Sequence, residues 1–275
     1  PDYRHLAYQF GGNLVGRAKE KAIVEGLVAS LTSGDAPPSV IYIVGDAGLG
    51  KSRLAGHFQG RLTEEGIGTF RLTADSLRRT TGFFPWRQVV IGLLELRGTE
   101  SVDEVVGKLS ALLSDDPEAL ELLPLLTPVL TVAIPDTPLT APLYGGGRAD
   151  KTQAVIVALL KTFVGTEPQV LIVEDAHWFD SASWQLLERF ARARPNVSIT
   201  IVAAQLDRDL LPFEARLLLD RPDALTIRLE PFSRADSAEL FNASLGVVES
   251  AAAIVDLVYR HAEGHPLFTA ALALS

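Results

Sequence analysis

One octapeptide constrains this 275-residue chain more than any other feature: Gly45-Asp46-Ala47-Gly48-Leu49-Gly50-Lys51-Ser52, the pattern G-x-x-x-x-G-K-[ST]. Before it stands Val40-Ile41-Tyr42-Ile43-Val44, a short apolar run bounded by turn residues, which reads as a buried strand. After it, residues 51–65 carry a helical pattern, and Ile67 to Leu72 reads as a second strand. A strand, a glycine turn, a helix and a strand make the unit from which parallel sheets are built. The glycines let backbone N–H groups curl around a phosphate without Cβ clashes, and the helix start adds partial positive charge. Lys51 can reach β- and γ-phosphates, and the Ser52 hydroxyl can take a Mg²⁺ coordination position. Gly45 to Ser52, with Arg53 next in the chain, are therefore candidate nucleotide-binding residues, and Lys51 is also a catalytic candidate.

The other half of such a site needs carboxylates at a neighbouring strand tip. Val170-Leu171-Ile172-Val173-Glu174-Asp175 supplies an apolar strand ending in two acids. One acid there can hold Mg²⁺ through water, while the other orients or deprotonates the attacking water. Adjacent strand side chains point to opposite faces, so register decides which acid meets the metal. Glu174, with Ser52, is assigned to the metal and Asp175 to the water, the reverse staying open at this stage.

The remaining chain fits around this unit. Residues 1–13 lack periodicity and read as an arm. Ile23, Leu27, Val28 and Leu31 recur at helix spacing, and Gly34, Pro37 and Pro38 end that helix. Residues 75–150 read as a helical insertion in the sheet domain, with helices expected at 85–97 and 101–114. Ser101 and Glu104 form a capping box for the second of these. Prolines 117, 124, 128, 135, 138 and 142 then break an apolar stretch, and Tyr144-Gly145-Gly146-Gly147 reads as a flexible joint. A helix over 150–165, a helix from Ser181 to Arg194 capped by Asp180, and strands at Val197–Ala203 and Leu225–Leu229 follow. From Ser233 the pattern is helical throughout, and no internal repeat is present. The expected organisation is an arm at 1–13, a nucleotide-binding domain at 14–230 and a helical lid at 231–275, the lid cut short.

Composition excludes several classes. With 47% hydrophobic and 21% charged residues the chain can build its own core, which rules out disorder as a description of the whole. It has no cysteine, so no disulfide framework, thiolate metal site or cysteine nucleophile, which fits a reducing cytoplasm. It has no methionine either, so Pro1 is not a start residue and the chain is expected to be a piece of a longer protein. No secretory signal and no apolar run of about 18 residues is present. A net charge of −9 makes the chain a poor whole-body binder of nucleic acid.

Four stretches, in order, give the chain a family likeness: Leu14-Val15-Gly16-Arg17-Ala18-Lys19-Glu20; the phosphate loop; Leu171-Ile172-Val173-Glu174-Asp175-Ala176-His177-Trp178-Phe179-Asp180; and Gly264-His265-Pro266-Leu267-Phe268. Together they resemble the ATPase domain of the STAND class of P-loop NTPases. The nearest branch is the AAA-type module fused to bacterial class III adenylate cyclases and large LuxR-type transcription regulators. The first stretch is similar to its h-h-G-R-x-x-E motif, the third to L-E-D-x-H-W-x-D and the fourth to G-N-P-L-F. The resemblance implies an αβα sandwich with a parallel sheet in the strand order of the ASCE division, followed by the lid. It implies that Val15, Gly16 and Arg17 pack near the adenine and that Pro266 approaches the nucleotide from the lid. ATP or ADP would then set the angle between sheet and lid. Where the family carries a Thr or Arg sensor, this chain reads Ala203-Ala204-Gln205-Leu206-Asp207-Arg208. Gln205 is the candidate for sensing the γ-phosphate or placing water, and Arg208 is displaced past it. No arginine finger is evident in cis, which implies slow turnover.

The reading is a Mg-ATP/ADP-binding signalling module, a switch for covalently linked effector domains. Self-association with nucleotide is a further expectation; membrane contact, and nucleic acid bound through this domain, are not. A small-molecule phosphotransferase and a ring-forming AAA+ loader are the alternatives. Other features read more plainly. Arg189, Arg192 and Arg194 read as favouring a helix C-terminus rather than as a basic patch for nucleic acid, and Phe83-Phe84-Pro85-Trp86 as core packing, with a partner-docking surface the alternative. His177 reads as capping the strand end, with Trp178 packed beneath the insertion, a catalytic or sensing pair being the alternative, and His57 and His261 lack metal-ligand spacing.

Overall fold

The computed structural model describes residues 14–33, 37–165, 167–194, 196–203 and 211–274. The arm at 1–13, and Gln205 and Arg208, lie outside the described residues. Five strands form one parallel sheet: β1 (Val40–Val44), β2 (Gly68–Thr73), β3 (Gln169–Glu174), β4 (Val197–Ala203) and β5 (Leu225–Arg228), in the order β2-β3-β4-β1-β5. Their carboxyl ends share one edge of the sheet. β4 stands between β1 and β3, so the two site-bearing strands end one strand apart on the carboxyl edge, the usual ligand side of open α/β sheets.

Both faces of the sheet are covered, which is why its central strands are apolar without alternation. Val40, Tyr42 and Val44 enter one core, while Ile41 and Ile43 enter the other. The second core is closed by α1 (Ala18–Ser33) and α2 (Lys51–Glu64) through Val24, Leu27, Val28, Leu31, Leu54, Phe58 and Leu62. One expectation is corrected here. Ile23 is 38% exposed and Val24 takes the buried place beside Leu27 and Val28. The two neighbours are equally apolar, so spacing alone could not choose between them.

The first core carries the region between β2 and β3, made of α3 (Phe84–Leu93), α4 (Val102–Leu112), α5 (Pro117–Glu121), a 3₁₀ segment at Leu123–Val129 and α6 (Gly145–Phe163). Helices α7 (Ser181–Ala193) and α8 (Phe213–Leu219) complete that layer. The Ser101–Glu104 capping box is present in full. Asp180 caps α7 by accepting from the Ser183 backbone N–H at 2.9 Å. Phe83 and Trp86 are buried, and Trp86 Nε1 donates to the Ser183 carbonyl at 3.3 Å while its ring meets Phe190 edge-on.

Two further expectations fail for identifiable reasons. The helix expected to reach residue 97 ends at Leu93, because Glu95 turns left-handed and the Leu96 and Glu95 N–H groups bond back to Ile91 and Gly92. Leu94 and Leu96 are buried, which mimics a continuing helix in the sequence. Gly145-Gly146-Gly147 is no joint but the first turn of α6. Glycine costs a helix interior about 1 kcal/mol per residue. That penalty is overridden by the buried run Val155, Ile156, Leu159 and Leu160 further along α6.

After β5 the chain becomes wholly helical: α9 (Arg234–Leu245), α10 (Ala252–Ala262) and α11 (Pro266–Ala273), around a small core of Phe241, Val258 and Ala273. The arginines of α7 and its C-cap Arg194 are all engaged within the chain. Arg189 pairs with Asp150 at 2.6 Å, Arg192 with Glu188, and Arg194 donates to the Lys161 carbonyl. No helix among the described residues is long and apolar enough to cross a membrane.

Trp86 joins the insertion to α7, so Trp86→Ala is expected to cost about 3–5 kcal/mol. Urea unfolding followed by far-UV circular dichroism checks this, with insertion and sheet melting in one transition.

Candidate nucleotide site

The phosphate loop begins where β1 leaves the sheet. Leu229 N–H donates to the Val44 carbonyl at 2.8 Å, and a Cβ on Gly45 would lie 2.9 Å from the Leu229 carbonyl oxygen. The loop starts against the chain leaving β5, with no room there for a side chain. Gly48 (φ +78°) and Gly50 (φ +93°) are left-handed and curl the loop into α2. Lys51 folds back over it, Nζ donating to the Gly45 and Asp46 carbonyls at 2.8 Å each. Burial pushes the Lys51 ammonium below its ordinary range, while Asp175, Asp46 and Glu174 pull it back up. Arg53 follows Ser52 in the first turn of α2 and is partly buried, which lowers its pKa.

The backbone gives the two acids different surroundings. Glu174 pairs with Thr73 of β2 and is 5% exposed. Ser52 Oγ donates to its Oε2 at 2.8 Å, and Arg71 Nη2 donates to its Oε1 at 2.7 Å. Ser52 and Glu174 therefore present neighbouring hard oxygens, a donor set that fits Mg²⁺ held jointly with phosphates. Asp175 is left-handed (φ +52°) and turns the chain off the sheet into a 3₁₀ turn, Ala176–Trp178. Left-handed backbone costs a non-glycine residue of order 1–2 kcal/mol. Partial burial lowers the His177 pKa, Asp175 acts against this and Lys51 with it. The His177 ring lies 4.8 Å from that of Trp178, which packs on the core.

The first and fourth motifs converge on the same loop. Gly16 and Arg17 are consecutive left-handed residues, and a Cβ on Gly16 would lie 2.7 Å from Asp236 Oδ1 of α9. Arg17 is buried: Nη2 donates to the Leu49 carbonyl at 3.0 Å, Nη1 donates to Glu20 at 3.2 Å, and the guanidinium lies 4.6 Å above the Phe232 ring. Phe232 N–H donates to the Gly264 carbonyl at 2.7 Å. From the other side His265 Nε2 lies 2.8 Å from the Ala47 carbonyl oxygen, which only accepts, so Nε2 carries the proton. The His265 ring stacks on Phe268 and lies against Gly48, where a Cβ would come within 2.4 Å of it. Val15 is half-buried beside Gly16. Pro266 is the buried first residue of α11, and the bond to the loop comes from His265 before it. His265 was missed as a site residue. Its only signal was a histidine where the resembled motif has asparagine.

A profile of the AAA ATPase domain family matches residues 13–202. The chain belongs to that family. Among curated proteins none matches the sequence. Among solved structures it is similar to the Aeropyrum pernix Orc1 protein in complex with DNA, at 14% identity and a TM-score of 0.53, covering 94% of this chain and 58% of that one. The Thermotoga maritima RuvB Holliday junction branch migration motor gives a TM-score of 0.47 at 15% identity, over 94% and 61% of the two chains. The Pyrobaculum aerophilum Cdc6p structure gives 0.45 at 13%, over 86% and 51%. At such identity the Orc1 likeness concerns the fold, and this chain spans little more than half of that one.

Gly48 and Gly50 offer a paired test, since a Cβ on Gly50 meets nothing within 4 Å. Gly50→Ala should carry only a backbone cost of about 1–2 kcal/mol. Gly48→Ala should cost more, and the excess should shrink in a His265→Ala background, leaving the part due to Leu267, whose Cβ would lie 3.1 Å away, measured by thermal denaturation as a double-mutant cycle.

Proposed function

We propose that this AAA ATPase domain is a nucleotide-operated switch that binds ATP or ADP with Mg²⁺ and passes loop occupancy to its C-terminal helices, acting as a lid. One observation carries the reading: the phosphate loop is gripped from two sides. Arg17 holds the Leu49 carbonyl and His265 the Ala47 carbonyl, and the two are joined through Phe232 and Gly264. A ligand that changes the loop's hydrogen bonding therefore acts on the lid directly. This is the bistable arrangement a switch requires.

The chain's own residues divide the work. Lys51 gives up carbonyls for phosphate oxygens, and the N–H groups of Gly48 to Ser52 face the same charge at the start of α2. Bound Mg²⁺, held by Ser52 and Glu174, would neutralise phosphate charge. Asp175, at the strand tip beside Lys51, is the group for orienting a water, and Gln205 is assigned the sensing of the γ-phosphate. Val15 and Gly16 close the adenine side, and Pro266 fixes the start of the helix that bears His265 on the loop. Turnover is slow, since no arginine finger is assigned in cis. The STAND-class resemblance supports effector domains covalently linked to this module in a cytoplasmic regulator. The DNA in the Orc1 structure belongs to that protein, and the net charge of −9 here favours a partner other than nucleic acid.

Lys51→Ala is expected to weaken Mg-ADP binding about 10- to 100-fold in titration calorimetry. His265→Ala should leave affinity nearly intact while removing the nucleotide-dependent change in hydrogen-exchange protection of residues 231–274. Unaltered binding by Lys51→Ala would sink the reading.

A further inference from the structure

Arg71 lies outside all four motifs, on the edge strand β2, yet its guanidinium is built into the acid half of the site. Nη2 donates to Glu174 Oε1 at 2.7 Å, and Nη1 donates to Gln59 Oε1 at 2.9 Å. Gln59 Nε2 in turn donates to Thr69 Oγ1 at 3.3 Å. Register explains the reach: Arg71 pairs with Ile172 and Thr73 with Glu174, so Arg71 and Glu174 are diagonal neighbours on one face of the sheet. That face packs on α2, which carries Gln59 and, at its start, Ser52. Since Ser52 Oγ occupies the other carboxylate oxygen, the charge of a buried Glu174 is met on both oxygens by the protein itself.

Ser52 and Glu174 are also the two groups assigned to Mg²⁺. A guanidinium is not deprotonated in proteins, so the positive charge beside Glu174 persists at any working pH. It stands where it opposes an incoming divalent cation and where it holds the carboxylate against the loop serine. Resting on the nucleotide reading above, we propose that Arg71 is a positioning residue that sets the Mg²⁺ threshold of the site. It clamps Glu174 to Ser52 in the metal-free state and competes with the cation for that carboxylate. Gln59 keeps the guanidinium aimed.

The test is a Mg²⁺ titration of the binding of a fluorescent ADP analogue, with EDTA as reference, for the unaltered chain and its R71Q, R71K and Q59A variants. R71Q should lower the Mg²⁺ concentration for half-maximal enhancement by about tenfold or more, the scale on which one charge beside a partly buried site acts. Its affinity in EDTA should change far less than its affinity with Mg²⁺. R71K should restore most of the threshold, and Q59A should shift it a smaller distance in the same direction as R71Q. Q59A leaves both charges in place, so it keeps the proposal open to refutation if R71Q does not fold. A Mg²⁺ midpoint that stays put or rises in R71Q and Q59A overturns the proposal. So does an equal loss of affinity with and without Mg²⁺, which would make Arg71 a purely structural residue. No ADP binding by the unaltered chain under either condition would overturn the nucleotide reading itself, and this proposal with it.

Discussion

A loop that turns its N–H groups inward must turn carbonyls outward, and each outward carbonyl needs a donor. That constraint organises the molecule around residues 45–52. Lys51 serves the Gly45 and Asp46 carbonyls, His265 the Ala47 carbonyl and Arg17 the Leu49 carbonyl. These three donors come from the loop's own helix, from the segment before α1 and from the start of α11. Parts of the chain more than 200 residues apart are thus held together by the hydrogen-bonding needs of one turn. The glycines matter twice. They let the loop curl, and they leave room for Leu229 and His265 to come close.

The carboxylate half obeys a different rule. A buried acid must be paired or hydrogen-bonded on each oxygen. Glu174 meets this through Ser52 and Arg71, which ties β3 to β2 as well as to the loop. Asp175 escapes it by stepping off the sheet in a left-handed conformation, leaving its carboxylate near Lys51 and His177. Two adjacent acids with the same chemistry are given different surroundings by a single backbone turn.

Local chemistry made much of this legible in the sequence. The octapeptide, β1 and β4, the Ser101–Glu104 box and the Asp180 cap follow from neighbouring residues, and each stands where those residues place it. What stayed hidden depends on partners distant in the chain. Ile23 and Val24 are indistinguishable until the sheet faces them. Gly145 to Gly147 look like a break until the packing of α6 outweighs their cost. Arg71 is one arginine on a strand whose value lies in a partner 103 positions later, and no short-range pattern encodes that. His265 was within sight, inside a motif, but only the fold shows which residue of that motif touches the loop.

The bond from Leu229 to Val44 ties the start of the C-terminal segment to the strand that carries the loop. The chain leaves the sheet at β5 fastened to the last residue of β1, one position before the loop begins. The proposed lid motion would therefore start from a segment tied to the strand that leads into the loop. In the switch proposed above, a shift of a fraction of an ångström in the loop would become a larger displacement at the far side of α9 to α11.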